Sequence, residues 1–215
     1  MSFSTLFFDL DATLYSSTNG LWDAIRSRIY KFMEEKIGIP KEEIPETRDR
    51  YWTTYGTTLE GLRIHHQVNP DDYLSFVHDL PLAQFLDKDP TLRRQLSSLP
   101  QNLWVFTNAD HNHAERVLEA LGIEDLFSGI VDLLAMDFNI KPNPKAYQIA
   151  LTLAGETDSA KCVLFDDLLQ NLLGAKDMGF TTALVGKNGV PDQVDFHLPT
   201  IYDMQKIMPH LWQDE

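Results

Sequence analysis

FFDLDATLY, residues 7–15, decides the fold: a short run of large apolar residues stops abruptly at two carboxylates, Asp9 and Asp11, set two positions apart. Runs of this length, bounded this way, read as strands buried on both faces. Four more follow at LWVFTN (103–108), IVDLLAM (130–136), CVLFDD (162–167) and TTALVG (181–186). Helical patterns lie between most of them. In NPKAYQIALTLAG, Asn143 caps a helix, Pro144 suits its first position, Ala146, Ile149, Ala150 and Leu153 repeat at helical spacing, and Gly155 ends it. DPTLRRQLSSL opens in the same way at Asp89 and Pro90. Strands alternating with helices imply βαβ units, hence an α/β fold with a Rossmann-like parallel sheet covered by helices on both faces.

One interval breaks the alternation. Between the first strand and the helix at Asp89, LWDAIRSRIYKFMEEKIG (21–38), ETRDRYWTTYGTTLEGLRIHH (46–66) and NPDDYLSFVHDL (69–80) all read as helix. Such a block is too long for a loop. The expected organisation is a core of residues 1–15 and 87–215 with a helical cap, 16–86, inserted after the first strand and overhanging its carboxyl end.

The 215 residues hold 18 Lys and Arg against 32 Asp and Glu, a formal charge of −14, which argues against a nucleic-acid polymer as partner. Any phosphate would be met locally. The one cysteine, Cys162, lies in an apolar run and reads as a core residue, so no intrachain disulfide is expected and a reducing compartment is implied. No stretch resembles a signal peptide or approaches the roughly 18 apolar residues of a membrane span. The expectation is a cytoplasmic protein with no membrane partner.

The polar residues collect at the same end of several strands. Asp9 and Asp11 close the first, Thr107 and Asn108 the second, Asp166 and Asp167 the fourth. In an open parallel sheet these ends form the ligand crevice at the point where strand order reverses. Four carboxylates gathered there repel one another unless a cation sits among them, and hard oxygen donors suit Mg²⁺. With a cation in place, one carboxylate can attack phosphorus to form an aspartyl-phosphate, and Asp11, at the turn, can protonate the leaving oxygen. Lys141, after the third run, would balance the nucleophile and the transferring charge. Taken singly, a DxD at a strand end is more often a turn and a lone Lys a solvated charge.

DLDAT (9–13), FTNAD (106–110), KPNP (141–144) and FDDLLQNLLGAKDMG (165–179) resemble, in order and spacing, the four motifs of the haloacid dehalogenase (HAD) superfamily of phosphohydrolases. The resemblance implies Asp9 as nucleophile, Asp11 as general acid and base, Thr107 with the Asn108 backbone as phosphate holders and Lys141 as charge partner. It implies Mg²⁺ on Asp9, the Asp11 carbonyl and Asp166, with Asp167 orienting ligands from behind. Asn171 and Gly174 fit the turn into the next helix. Many relatives carry an acid where this chain has Ala12, a difference expected to alter local polarity rather than abolish chemistry. Dehalogenases typically lack the acid at Asp11, so the chain resembles the phosphatases, and a cap after the first motif usually leaves a pocket for a small phosphorylated substrate and excludes water.

TLYSSTNGLWDAIRSRIYKFM (13–33), YGTTLEGLRIHHQVNPDDYLSFVHDLPL (55–82), NADHNHAERVLEALGIEDLF (108–127) and MPHLW (208–212) are similar to the pyrimidine 5'-nucleotidase subgroup. That resemblance implies hydrolysis of UMP or CMP; phosphoglycolate or a phosphosugar is the alternative substrate. Candidate substrate contacts are Asn19 and Gly20 near the crevice mouth, and Tyr55, Thr57 and Thr58 around a glycine in helical surroundings. His65 and His66 point about 100° apart on a helix and make a poor metal pair. Trp22, Trp52, Phe76 and Leu80 read as cap core. Two other classes fit parts of the pattern: a phospho-accepting receiver domain, disfavoured by the insertion and by Asp11, and a degenerate family member acting as a binding protein.

Overall fold

The computed structural model describes residues 3–186 and 191–213. Residues 1, 2, 187–190, 214 and 215 of the expected core lie outside the described residues. The chain divides into two compact units: Met1–Asn19 with Leu86–Glu215, and Gly20–Phe85.

The first unit holds a six-stranded sheet: β1 (Thr5–Phe8), β2 (Asn102–Phe106), β3 (Gly129–Val131), β4 (Cys162–Asp166), β5 (Thr181–Val185) and β6 (Phe196–Leu198). Its order is β3-β2-β1-β4-β5-β6, every pairing parallel. With right-handed crossovers, the helices of this unit that lead into β2 and β3 cover one face and those that lead into β4 and β5 the other. All residues of β1 and β4 are buried, as their unbroken apolar runs require. Phe8 stands beside Phe165 in register, their rings stacked at 4.7 Å. Strand order reverses between β1 and β4, so the ligand crevice of such a sheet opens at their carboxyl ends.

Two strand readings are corrected. The third run, read as 130–136, stays in the sheet only to Val131. Asp132 then accepts from the backbone N–H of His111 at 3.0 Å and of Ala135 at 2.9 Å, which turns the chain. β6 is an additional strand, too short at three residues for its alternation to show. Cys162 is fully buried, and burial followed by the nearby charges of Glu156 and Asp158 pushes its thiol up to about 12.

The second unit is helical: α1 (Leu21–Phe32), running on through a π-helical turn at Met33–Ile37, α2 (Ile44–Tyr55), α3 (Thr58–His66) and α4 (Pro70–Val77). α1 buries Leu21, Ile25, Ile29 and Phe32 at helical spacing. Trp22 and Trp52 are not core residues: they are 41% and 39% exposed, because each stands about 100° around its helix from a buried neighbour, Leu21 and Tyr51. Phe76 is half-buried against the Arg28 guanidinium, 4.1 Å from its ring centre. His65 and His66 are exposed and bond different tyrosines, Tyr55 and Tyr51, at 2.8 and 3.0 Å.

The first unit carries α5 (Pro90–Ser97), α6 (His111–Leu121), α7 (Pro144–Ala154), α8 (Leu169–Asp177) and the short α9 (Met204–Ile207). Asp89, Asp110 and Asn143 cap α5, α6 and α7 through side-chain oxygens, and Gly122 and Gly155 end α6 and α7 in the left-handed conformation. Among the described residues no helix is long and apolar enough to cross a membrane.

Candidate active site

The site is assembled where four backbone segments leave the sheet or meet its carboxyl edge. β1 stays in the ladder through Asp9, whose N–H donates to Phe165 O at 2.8 Å. The chain then turns: Thr13 and Leu14 donate to Leu10 O, and Ala12 takes φ 65°, a left-handed conformation uncommon outside glycine and asparagine. The turn brings Thr13 Oγ1 back to 3.3 Å from Asp9 Oδ2. On the neighbouring strand Thr107 holds the ladder to Val131 and accepts from Ala109 N–H at 3.0 Å.

Lys141 sits at the centre with its side chain fully buried. Its Nζ donates to Asp9 Oδ1 at 3.0 Å, Asp166 Oδ2 at 2.6 Å and Phe106 O at 2.6 Å, so all three ammonium hydrogens are used. Burial alone would depress this lysine, but the carboxylates of Asp166 and Asp9 outweigh it and hold the ammonium above its ordinary value. Its backbone is gripped by Asn108, whose Nδ2 donates to Lys141 O and whose Oδ1 accepts from Lys141 N–H, both at 3.0 Å. Gly174 keeps this segment in place from α8: a Cβ there would lie 3.0 Å from Pro142 O and 2.8 Å from the Tyr147 hydroxyl.

Asp9, Asp166 and Asp167 each offer a carboxylate oxygen within 4.8 Å of the others'. Asp166 is completely enclosed, accepting from Leu168 N–H at 2.9 Å, from Asn171 Nδ2 at 3.0 and 3.1 Å on its two oxygens, and from Lys141. Asn171 therefore lies inside α8 as a direct partner of Asp166, and not merely as a turn former. Burial drives the Asp9 carboxyl well above the usual carboxylate range despite Lys141, with Asp166, Asp167 and Asp11 pushing the same way. Burial and then the Asp166 charge push Asp167 up to about 7. One ammonium among these acids leaves negative charge uncompensated, so the donor set fits a divalent cation. Asp167, expected from the sequence to orient ligands from behind, brings one carboxylate oxygen within 4.8 Å of those of Asp9 and Asp166.

Asp11 is half-buried, and Oδ1 of its carboxyl accepts from the Tyr15 hydroxyl and lies 3.0 Å from His113 Nε2. Burial, then the Asp11 charge, raises the Tyr15 phenol far above its ordinary value and keeps it a donor. Neither Tyr15 nor His113 emerges from the motifs. A signal for His113 exists: it stands four residues before Val117 on the buried stripe of α6, where a polar residue needs a partner.

The five candidate substrate contacts are divided between the two units. Asn19 ends the first stretch of the sheet-bearing unit; Gly20, Tyr55, Thr57 and Thr58 belong to the helical unit. There Gly20 caps α1 at φ 89°, Thr57 caps α3 by accepting Glu60 N–H at 3.1 Å, and Thr58 is buried.

Solved structures share this parallel α/β fold. A HAD phosphatase from Thermococcus onnurineus is similar over 94% of this chain and 96% of its own at TM-score 0.65 and 20% identity. The magnesium-bound HAD-hydrolase YfnB from Bacillus subtilis is similar over the whole of both chains at 0.64 and 16%, and L-2-haloacid dehalogenase from Xanthobacter autotrophicus over 95% and 97% at 0.62 and 15%. At these identities the likeness is one of fold. The chain belongs to the haloacid dehalogenase-like hydrolases, whose family model matches residues 3–179, and is thus an enzyme of the hydrolase class. It is also 32% identical over 189 residues to phosphate metabolism protein 8 of Saccharomyces cerevisiae, covering 80% of this chain and 58% of the yeast protein, so it spans little more than half that relative's length.

Proposed function

We propose that this hydrolase is a Mg²⁺-dependent phosphatase acting on a small phosphorylated metabolite through an aspartyl-phosphate at Asp9, with a pyrimidine nucleoside 5'-monophosphate as its substrate. The observation that carries the reading is the meeting of Asp9, Asp166 and Asp167 within 4.8 Å, with the Lys141 ammonium bonded to Asp9 and Asp166 and a second acid, Asp11, two residues beyond Asp9. A nucleophile alone would serve acyl or halide displacement equally. A partnered acid beside it serves the departure of an alcohol.

In this reading the Asp9 carboxylate attacks phosphorus, the P–O ester bond breaks, and the leaving oxygen takes its proton from Asp11. A water then gives a proton to Asp11 and attacks the acyl phosphate, releasing inorganic phosphate and restoring Asp9. Thr107 and the Asn108 backbone bind the phosphoryl oxygens, and Lys141 offsets their charge. Mg²⁺, when bound, neutralises that charge and aligns phosphorus with the nucleophile. Asp9, Asp166 and the Asp11 carbonyl would hold it, with Asp167 beside them. The helical unit, Gly20–Phe85, acts as a cap that excludes water, and the substrate-facing positions are sought among Asn19, Gly20, Tyr55, Thr57 and Thr58. Gly20, Tyr55, Thr57 and Thr58 also serve the unit's own structure, as the cap of α1, the partner of His65, the cap of α3 and a buried residue, so a variant at any of them needs a fold control. The enzyme is read as cytoplasmic, with its substrate as its partner.

The name of the yeast relative, phosphate metabolism protein 8, agrees with phosphate chemistry. UMP and CMP rest on the subgroup resemblance of residues 13–33, 55–82 and 108–127. The test is phosphate release with Mg²⁺ from UMP, CMP, AMP, GMP, phosphoglycolate, glucose 6-phosphate and p-nitrophenyl phosphate, alongside Asp9→Asn and a chelated control. A lead for UMP and CMP in kcat/KM supports the full reading. A lead for phosphoglycolate or the phosphosugar keeps the chemistry and replaces the substrate, and no release from any of them turns the reading to a phospho-ligand binding protein.

A further inference from the structure

We propose that His113 and Tyr15 are positioning residues that lock the Asp11 carboxyl in the orientation from which it meets the leaving oxygen. The inference rests on the reading of Asp11 as the acid of the reaction. Two groups from different parts of the chain converge on one oxygen: the Tyr15 hydroxyl from the turn after β1 and His113 Nε2 from the first turn of α6. His113 is itself held, since its backbone N–H donates to the capping Asp110 Oδ1 at 3.0 Å and its side chain is 1% exposed. A line of support thus runs from the α6 cap through a rigid imidazole to Asp11.

A carboxyl at a strand-end turn has two soft torsions. Two partners on the same oxygen select one rotamer and one carboxyl plane, and decide which edge of Asp11 faces the crevice. Proton transfer needs heavy atoms within about 2.6–3.2 Å, so a carboxyl released from these partners would meet that geometry only part of the time. Packing alone does not account for His113. Ala114, Val117, Leu118 and Leu121 fill the same buried stripe of α6, and an apolar residue there would avoid burying imidazole nitrogens.

The test compares p-nitrophenyl phosphate, which needs little protonation of its leaving group, with the alkyl phosphate of the panel that the enzyme turns over best. His113→Leu and Tyr15→Phe are each expected to lower kcat/KM for the alkyl phosphate about 10-fold more than for p-nitrophenyl phosphate, with His113→Gln restoring part of the loss by offering an amide N–H. In an Asp11→Asn background neither substitution should cost more than about twofold, since coupled residues are not additive. Equal losses on both substrates, or undiminished losses in the Asp11→Asn background, would overturn the proposal. Asp11→Asn alone separates the two layers: if it spares p-nitrophenyl phosphate while His113→Leu and Tyr15→Phe act evenly, only the positioning role falls, and if it acts evenly itself, the acid reading falls and the positioning role with it. Should His113→Leu fail to fold by circular dichroism, Tyr15→Phe, which removes a single oxygen, decides.

Discussion

Asn108 and Lys141 hold each other by two reciprocal hydrogen bonds: the amide of Asn108 donates to the lysine carbonyl and accepts from the lysine N–H, each at 3.0 Å. The pair joins the end of β2 to the segment before α7 and so sets where the Lys141 ammonium stands. Asn108→Ala leaves a buried N–H and C=O without these partners, a loss of about 1–3 kcal/mol in stability. It also frees the segment that aims the ammonium, so kcat should fall about 10-fold or more, because misplacement of a catalytic group is costly. Urea midpoints and kcat for the best panel substrate check this; an active, equally stable Asn108→Ala would show that Lys141 is aimed by its carboxylate partners alone.

The Lys141 ammonium donates to both Asp9 and Asp166, at 3.0 and 2.6 Å, and offsets their charge. Lys141→Met fills the space but leaves two buried carboxylates facing each other, which should cost about 3–5 kcal/mol at pH 8 without divalent cations. Asp9 is raised already, by burial against the opposing pull of Lys141, and losing the lysine raises it further. An acid with a higher folded than unfolded pKa binds more protons when folded, so stability falls as pH rises. The variant should therefore regain stability on going from pH 8 to 5.5 by a larger margin than the parent. Added Mg²⁺ should stabilise the variant as well, by occupying the folded state. A pH-independent deficit would contradict the repulsion argument.

What was legible in the sequence follows from what a parallel sheet demands. Asp9, Thr107 and Asp166 are readable because strand ends in such a sheet must lie side by side, whatever their separation along the chain. The caps of α5 and α7 are readable because Asx–Pro carries its own local geometry. β6 and the early end of β3 are not: three residues give no period, and the bend at Asp132 is set by the N–H of His111, 21 residues away. Tyr15 and His113 hide for the same reason, since the pairing of β1's turn with α6 is a tertiary fact. Trp22 and Trp52 misled because size suggests burial while helix phase decides it.

Ala12 explains a departure from the usual first motif in backbone terms. Its φ of 65° lies in the left-handed region, where a short polar residue such as Asp or Asn is at ease and alanine is not. Ala12→Asn should be neutral or slightly stabilising, whereas Ala12→Val, β-branched, should cost about 1–2 kcal/mol and loosen the turn that carries Asp11. Thermal denaturation of the two variants checks the order; a Val variant as stable as the Asn variant would mean the turn relaxes to another conformation.

Asp195, just before β6, ties that edge strand to β5. Its Oδ2 accepts from Thr182 N–H at 2.9 Å and Thr182 Oγ1 at 2.8 Å, its own N–H donates to Thr182 Oγ1 at 3.1 Å, and Lys176 Nζ lies 3.4 Å from its other oxygen. Burial works against the charged carboxyl, but the donors of Thr182 and the Lys176 charge prevail and hold it below its ordinary value of 3.8. An acid lowered in this way binds fewer protons folded than unfolded. Its stabilisation is complete above the unfolded value and is lost as pH falls through the lower, folded one. Asp195→Asn should thus be less stable than the parent at pH 7 by about 1 kcal/mol, the scale of a charge-assisted hydrogen bond in part-exposed surroundings. Below the ordinary value of 3.8 the gap should narrow, and it closes as pH falls through the lower, folded value at which the parent carboxyl becomes protonated. Urea denaturation at pH 7, 5 and 3.5 measures the gap, and a gap that stays constant over this range would assign the contribution of Asp195 to its shape and not to its charge.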